Sequence, residues 1–169
     1  RLGEVPYVGL EEGSIEKTYL DERRKALGGY VPWRRAEAEP LEIPKLGTFS
    51  QLLESSGDRK NSTTMALVRM MTALCRDKQI GKHVVPIVPD ESRTFGMEGM
   101  FRQLGIYNPL GQLYRPEDKE QLMFYKEERS GQVLQEGISE AGGMSDWIAA
   151  ATAYATTGVP MIPFFIFYS

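Results

Sequence analysis

Val133-Leu134-Gln135-Glu136-Gly137-Ile138-Ser139-Glu140-Ala141-Gly142-Gly143 carries the passage from one kind of secondary structure to another. Val133 and Leu134 lead in as a short strand. Residues 145–157, with Trp147, Ile148, Ala151 and Ala155 spaced for one face, follow as a helix. In open α/β sheets ligands sit outside the carboxyl ends of the strands, where the chain crosses into the next helix, and Glu140 stands in such a crossing. Gly142 and Gly143 carry no Cβ, so a ligand or another backbone has room to approach there. The same pattern also fits a solvated turn acid, and the pattern alone does not choose between the two.

Two further strands frame this one. Val84 to Val88 is continuously apolar and runs into Pro89-Asp90-Glu91, and residues 161–167 form the longest apolar run, ending beside Tyr168. Strands at 84–88, 133–136 and 161–167 alternating with helices predict an α/β fold, a mostly parallel sheet with helices on both faces. Their carboxyl ends offer Asp90 and Glu91, then Glu136 and Glu140, then Tyr168. Before the first strand, Asn61-Ser62-Thr63-Thr64 supplies capping residues for a helix whose buried stripe reads Leu67, Met70, Met71 and Leu74. Phe49, Leu52 and Leu53 suggest a shorter helix ahead of it. Residues 92–131 are rich in turn formers, with one short helix around 97–104, and such a stretch usually lines a site or an interface.

Residues 1–47 differ in character. Pro6, Pro32, Pro40 and Pro44 interrupt them and only 15–27 reads as helical, so they are expected to form an extended arm ahead of a globular domain at 48–169. An apolar strand at the end of the sequence and an N-terminal Arg1 lead to the expectation that the chain is a fragment, truncated at the C-terminal end of that domain.

Composition narrows the function. Twenty basic against 23 acidic residues leave a net charge of -3, which gives no electrostatic footprint for nucleic acid. The apolar run at 161–168 is far below the roughly 20 residues that span a bilayer, so no membrane is expected. The single cysteine, Cys75, fits a reducing, cytoplasmic compartment and reads as a small hydrophobe; the single histidine, His83, reads as a hydrogen-bonded structural residue. Together they exclude the usual His/Cys zinc spacings, and one histidine far from Ser139 argues against serine hydrolase chemistry. Gly57-Asp58-Arg59 starts like a metal-binding Gly-Asp-Gly turn but lacks the second glycine and reads as a surface loop.

Four motifs in register carry a family resemblance. Pro89-Asp90-Glu91-Ser92-Arg93-Thr94-Phe95-Gly96-Met97-Glu98-Gly99, Gln135-Glu136-Gly137-Ile138-Ser139-Glu140, Ala149-Ala150-Ala151-Thr152 and Pro160-Met161-Ile162-Pro163-Phe164 together resemble the homodimeric, bacterial-type decarboxylating component of the pyruvate dehydrogenase complex. Lys17-Thr18-Tyr19-Leu20 and Leu27-Gly28-Gly29-Tyr30 agree in order and spacing. The resemblance implies the middle, pyrimidine-binding domain of a longer polypeptide that decarboxylates pyruvate with thiamine diphosphate. The acetyl group would pass to a lipoyl domain on the dihydrolipoyl acetyltransferase partner.

By the same resemblance Glu140 is the cofactor-activating, catalytic acid, hydrogen-bonding the aminopyrimidine ring nitrogen. Tyr168 contributes to cofactor binding, and Asp90, Glu91 and Tyr168 line the substrate side. Magnesium and the diphosphate are held in this family by a Gly-Asp-Gly to Asn motif on a separate domain. That motif does not occur in these residues, so no metal ligand is expected in this chain and the chain alone is expected to be inactive. A second copy of the protein is implied as homodimer partner. The alternatives are another transketolase-like thiamine-diphosphate enzyme and a non-catalytic assembly domain of the same fold.

Overall fold

A computed structural model of the chain describes residues 9–30, 37–90, 92–117 and 125–168. The chain divides into two compact units, one up to residue 35 and one from residue 36 onward. The first contains helix α1, Ile15–Ala26, none of whose residues is buried. Ser14 caps it by accepting from the Lys17 amide, and Lys17 reaches Asp21 one turn on at 2.7 Å, the spacing at which helical ion pairs form.

The second unit is built on a parallel sheet ordered β4-β1-β5, in which β1 is Val84–Val88, β4 is Leu134–Gln135 and β5 is Ile162–Phe165. Ile87 and Val88 pair with Leu134 and Gln135 on one side, while Val84 to Ile87 pair with Ile162 to Phe165 on the other. The central strand is the apolar one, as it must be when both faces are covered. A second pair, β2 (Ile106–Tyr107) with β3 (Glu127–Glu128), is also parallel, and Ile106 bridges to Val133 beside β4.

Alternation along the strands assigns the two faces. Val84 and Val88 of β1, with Phe164 and Ile166, pack into one apolar cluster with Val68, Met71, Met97, Met100 and Phe101. That cluster joins the sheet to α3 (Thr63–Arg76), which follows the short helix α2 (Ser50–Leu53), and to α4 (Glu98–Leu104). Phe165 points the other way, and its ring lies where a Cβ on Gly143 of α5 (Glu140–Thr156) would sit, 2.6 Å from the nearest ring carbon. Helices therefore cover both faces of the parallel sheet, and the α/β architecture expected from the sequence holds.

Several details differ from the sequence reading. The buried stripe of α3 is Val68 and Met71 with Leu74 and Cys75 half-buried beside them, whereas Met70 is 41% exposed. Burial lifts the Cys75 thiol to about 11, the behaviour of a small hydrophobe rather than a nucleophile. Helix α5 begins at Glu140 rather than at residue 145, and buries Gly143, Ala150, Ala153 and Ala155 while leaving Trp147 and Ile148 outward. His83 holds the Pro160 carbonyl through Nδ1 at 2.7 Å, a structural tie at the entrance of β1. Among the described residues no helix is long and apolar enough to cross a membrane.

Candidate functional site at the carboxyl ends of the strands

The three parallel strands point their carboxyl ends to one edge, and their register sets which residues share it. Asp90 stands two residues past Val88, as Gly137 stands two past Gln135, the partner of Val88. Asp90 also stands three past Ile87, as Tyr168 stands three past Phe165, the partner of Ile87. Sheet bonding continues beyond the strands on both sides, since Glu136 donates its amide to the Val88 carbonyl at 3.1 Å and Ile166 to the Ile87 carbonyl at 3.2 Å. Parallel pairing thus brings acids that are 50 residues apart in sequence to a common edge.

Glu140 is the first residue of α5 and is exposed. Gly137 makes the turn out of β4 at φ 85°, a conformation that costs an L side chain but not glycine. Ser139 then caps the helix, its Oγ accepting from the Gly142 amide at 3.1 Å. A carboxylate in the first turn interacts favourably with the helix N-terminus, typically by 0.3–1 kcal/mol at an exposed site, roughly. Glu140 is therefore placed by the backbone geometry of the turn and its cap. Among the described residues no hydrogen bond or ion pair links it to Asp90 or Tyr168.

Asp90 is exposed, and its carboxylate accepts from Gln135 Nε2 at 3.4 Å, a long contact that ties the end of β1 to that of β4. Gln135 Oε1 is buried with no hydrogen-bond partner among the described residues. Tyr168 is 51% exposed and rests its ring on Phe95, centroids 4.8 Å apart. Phe95 belongs to the buried cluster, so Tyr168 is seated on the core by the same connection that begins with Asp90. Glu91 lies outside the described residues.

Sequence reasoning gave no role to three residues that shape this edge. Phe95 lies inside the motif at residues 89–99, but nothing in its spacing points across to Tyr168. Gln135 reads as an ordinary strand end. Asp146 meets Glu136, whose carboxyl is pushed up by the Asp146 charge first, then by burial and by the hydrogen bond between them. The open approach expected over Gly142 and Gly143 is in fact filled from within: the Glu136 carboxyl lies where a Gly142 Cβ would be, and Phe165 occupies the space over Gly143.

Glu140, Ile138, Phe167 and Tyr168 are exposed, whereas the unpaired Gln135 Oε1 is buried. Among the described residues no group of three His, Cys, Asp or Glu is placed to hold a metal ion.

Comparison with known proteins gives a concordant picture. Residues 41–169 match the family model described as the pyruvate dehydrogenase E1 component middle domain. The chain is 64% identical over its whole length to the pyruvate dehydrogenase E1 component of Cupriavidus necator, and 58% identical over 99% of its length to that of Pseudomonas aeruginosa. It is 51% identical over 99% of its length to that of Escherichia coli strain K12. In each case it spans 19% of the relative.

Proposed function

Because this chain belongs to the pyruvate dehydrogenase E1 component middle-domain family, we propose that it is the pyrimidine-binding part of a thiamine-diphosphate-dependent pyruvate dehydrogenase. The domain is residues 48–169, preceded by the arm at 1–47. The observation that carries the reading is Glu140, an exposed carboxyl held at the first turn of α5, at the carboxyl edge of a parallel sheet and beside exposed apolar side chains.

Thiamine diphosphate, when bound, supplies a nucleophilic carbon and an electron sink for decarboxylation of a 2-oxo acid. Glu140 would hydrogen-bond the pyrimidine ring nitrogen, which would favour the imino tautomer of the amino group on that ring. Tyr168 and Ile138 would offer the ring an apolar flank, and Asp90 would line the substrate side, where an acid can move a proton; the resemblance assigns Glu91, outside the described residues, to the same side. The acetyl-level product then goes to a lipoyl group on the acyltransferase partner. Magnesium and the diphosphate are held by another domain of the polypeptide, and a second copy of the protein completes the site. This chain alone is accordingly inactive.

The test compares the full-length protein with its Glu140→Ala variant for magnesium- and thiamine-diphosphate-dependent release of carbon dioxide from pyruvate, after both are confirmed to fold. A loss of about a hundredfold or more is expected, which corresponds to about 2.7 kcal/mol of transition-state stabilisation. Turnover by the variant close to that of the parent would remove Glu140 from its assigned role.

A further inference from the structure

Two cavities lie away from the strand edge just described, along the outer face of α3. They measure about 630 and 570 Å³ and share Gln51, Leu52 and Arg69, so they form one continuous groove. One wall is the stripe Ala66, Arg69, Ala73 and Arg76, spaced by three and four residues and so aligned on a single helix face. The other wall is the short helical segment from Thr48 through Leu52, with Phe49 and Leu52 half-buried toward the groove floor. From Ala66 to Arg76 the wall runs about 15 Å at 1.5 Å per residue, the span of an extended peptide of about five residues.

The charge of this groove opposes that of the chain. Arg59, Arg69, Arg76 and Lys78 line it against Glu54 and Asp77, and four cations less two acids leave +2 in a chain whose net charge is -3. None of the four cations has a carboxylate partner among the described residues. Two are oriented by neutral amides, which leave their charge intact: Arg76 donates to Gln103 Oε1 at 2.9 and 2.6 Å, and Arg69 donates to Asn61 Oδ1 at 3.1 Å. Asp77 is occupied locally, its Oδ1 accepting from the amides of Gln79 and Ile80. Guanidinium groups oriented in this way match carboxylates in a planar, two-point fashion that a lysine cannot reproduce.

We infer that the groove between residues 48–52 and the outer face of α3 is a docking site for an acidic, aromatic-bearing segment of a partner polypeptide. The length of the groove favours an extended chain over a small anion. Its apolar floor takes a side chain between the charges at either end.

The experiment uses the full-length protein and a fluorescein-labelled peptide with two acidic residues on each side of a phenylalanine, followed by anisotropy. A peptide with lysine in place of the acids serves as control. Saturable binding of the acidic peptide alone is expected, weakening as salt screens the charges. It should fall at least tenfold in Lys78→Glu and in the Arg69→Glu/Arg76→Glu double variant, with turnover of pyruvate unchanged. Lys78 makes no hydrogen bond or ion pair within the described structure, so its variant tests the charge even if the double variant fails to fold. Absence of binding, equal binding of the lysine peptide, or undiminished binding in both variants would overturn the inference.

Discussion

Glu136 and Asp146 pose an electrostatic problem that the backbone imposes. Glu136 leaves β4 with its amide bonded to the Val88 carbonyl, and its carboxyl lies over Gly142 within reach of Asp146 on α5. Its pKa is raised above the ordinary 4.5, chiefly by the Asp146 charge. A raised carboxyl pKa means that the folded chain binds more protons than the unfolded one between 4.5 and the folded value. Stability therefore falls as pH rises through that window, and above it the two charges oppose each other. Because Glu136 is exposed, salt weakens the effect. In Asp146→Asn the titration midpoint of the Glu136 carboxyl carbon, followed by NMR, should move down toward 4.5. A midpoint unmoved by the substitution would mean that the two acids do not interact.

Helix α5 turns a local capping interaction into placement of the candidate catalytic group. Ser139 satisfies the Gly142 amide, and Glu140 is the next residue, so the cap and the functional side chain share one turn. Ser139→Ala should lower stability by about 1 kcal/mol, and Ser139→Asp should restore it because an aspartate accepts the same bond. The alanine variant should lose turnover through fraying of that turn, by less than Glu140→Ala does. Thermal unfolding and carbon dioxide release, measured on the same three proteins, check both statements.

The same helix marks the limit of what its residues disclose. The central strand was legible because Val84 to Val88 is apolar on both faces, and the short helix at 98–104 was legible from its flanking glycines and Met100-Phe101. The start of α5 was not, because Gly142 and Gly143 read as breakers until the ring of Phe165 and the carboxyl of Glu136 are placed against them. Nor was its buried face, since close approach to the sheet selects alanine and glycine and sends Trp147 outward, where its indole N–H donates to the Pro163 carbonyl at 3.2 Å. Size and hydrophobicity point the opposite way there. The two-residue strands β2 and β3 carry too few residues for any periodicity to register.

At the scale of the whole sheet-bearing unit, the candidate site depends on a core that lies almost wholly on one face. Phe101, Met71, Met97, Val84, Val88 and Val133 are all inaccessible to solvent, and the cluster reaches the carboxyl edge through Phe95, on which Tyr168 rests. Phe101 also meets the Tyr125 ring edge-on, centroids 6.0 Å apart, which links α4 to the segment leading into β3. Phe101→Ala removes the largest of these side chains and leaves a cavity, at a cost of about 3–5 kcal/mol. That is a large share of the roughly 5–15 kcal/mol that holds a domain together, so the loss should appear wherever the core is shared rather than at α4 alone. Native-state hydrogen exchange of the β1 amides should therefore lose about two to four powers of ten in protection. Residual turnover per folded molecule should stay near that of the parent, because Glu140 is set by Ser139 and Gly137 on the opposite side of the sheet from Phe101. Loss of turnover with protection of β1 intact would instead place Phe101 in the reacting geometry.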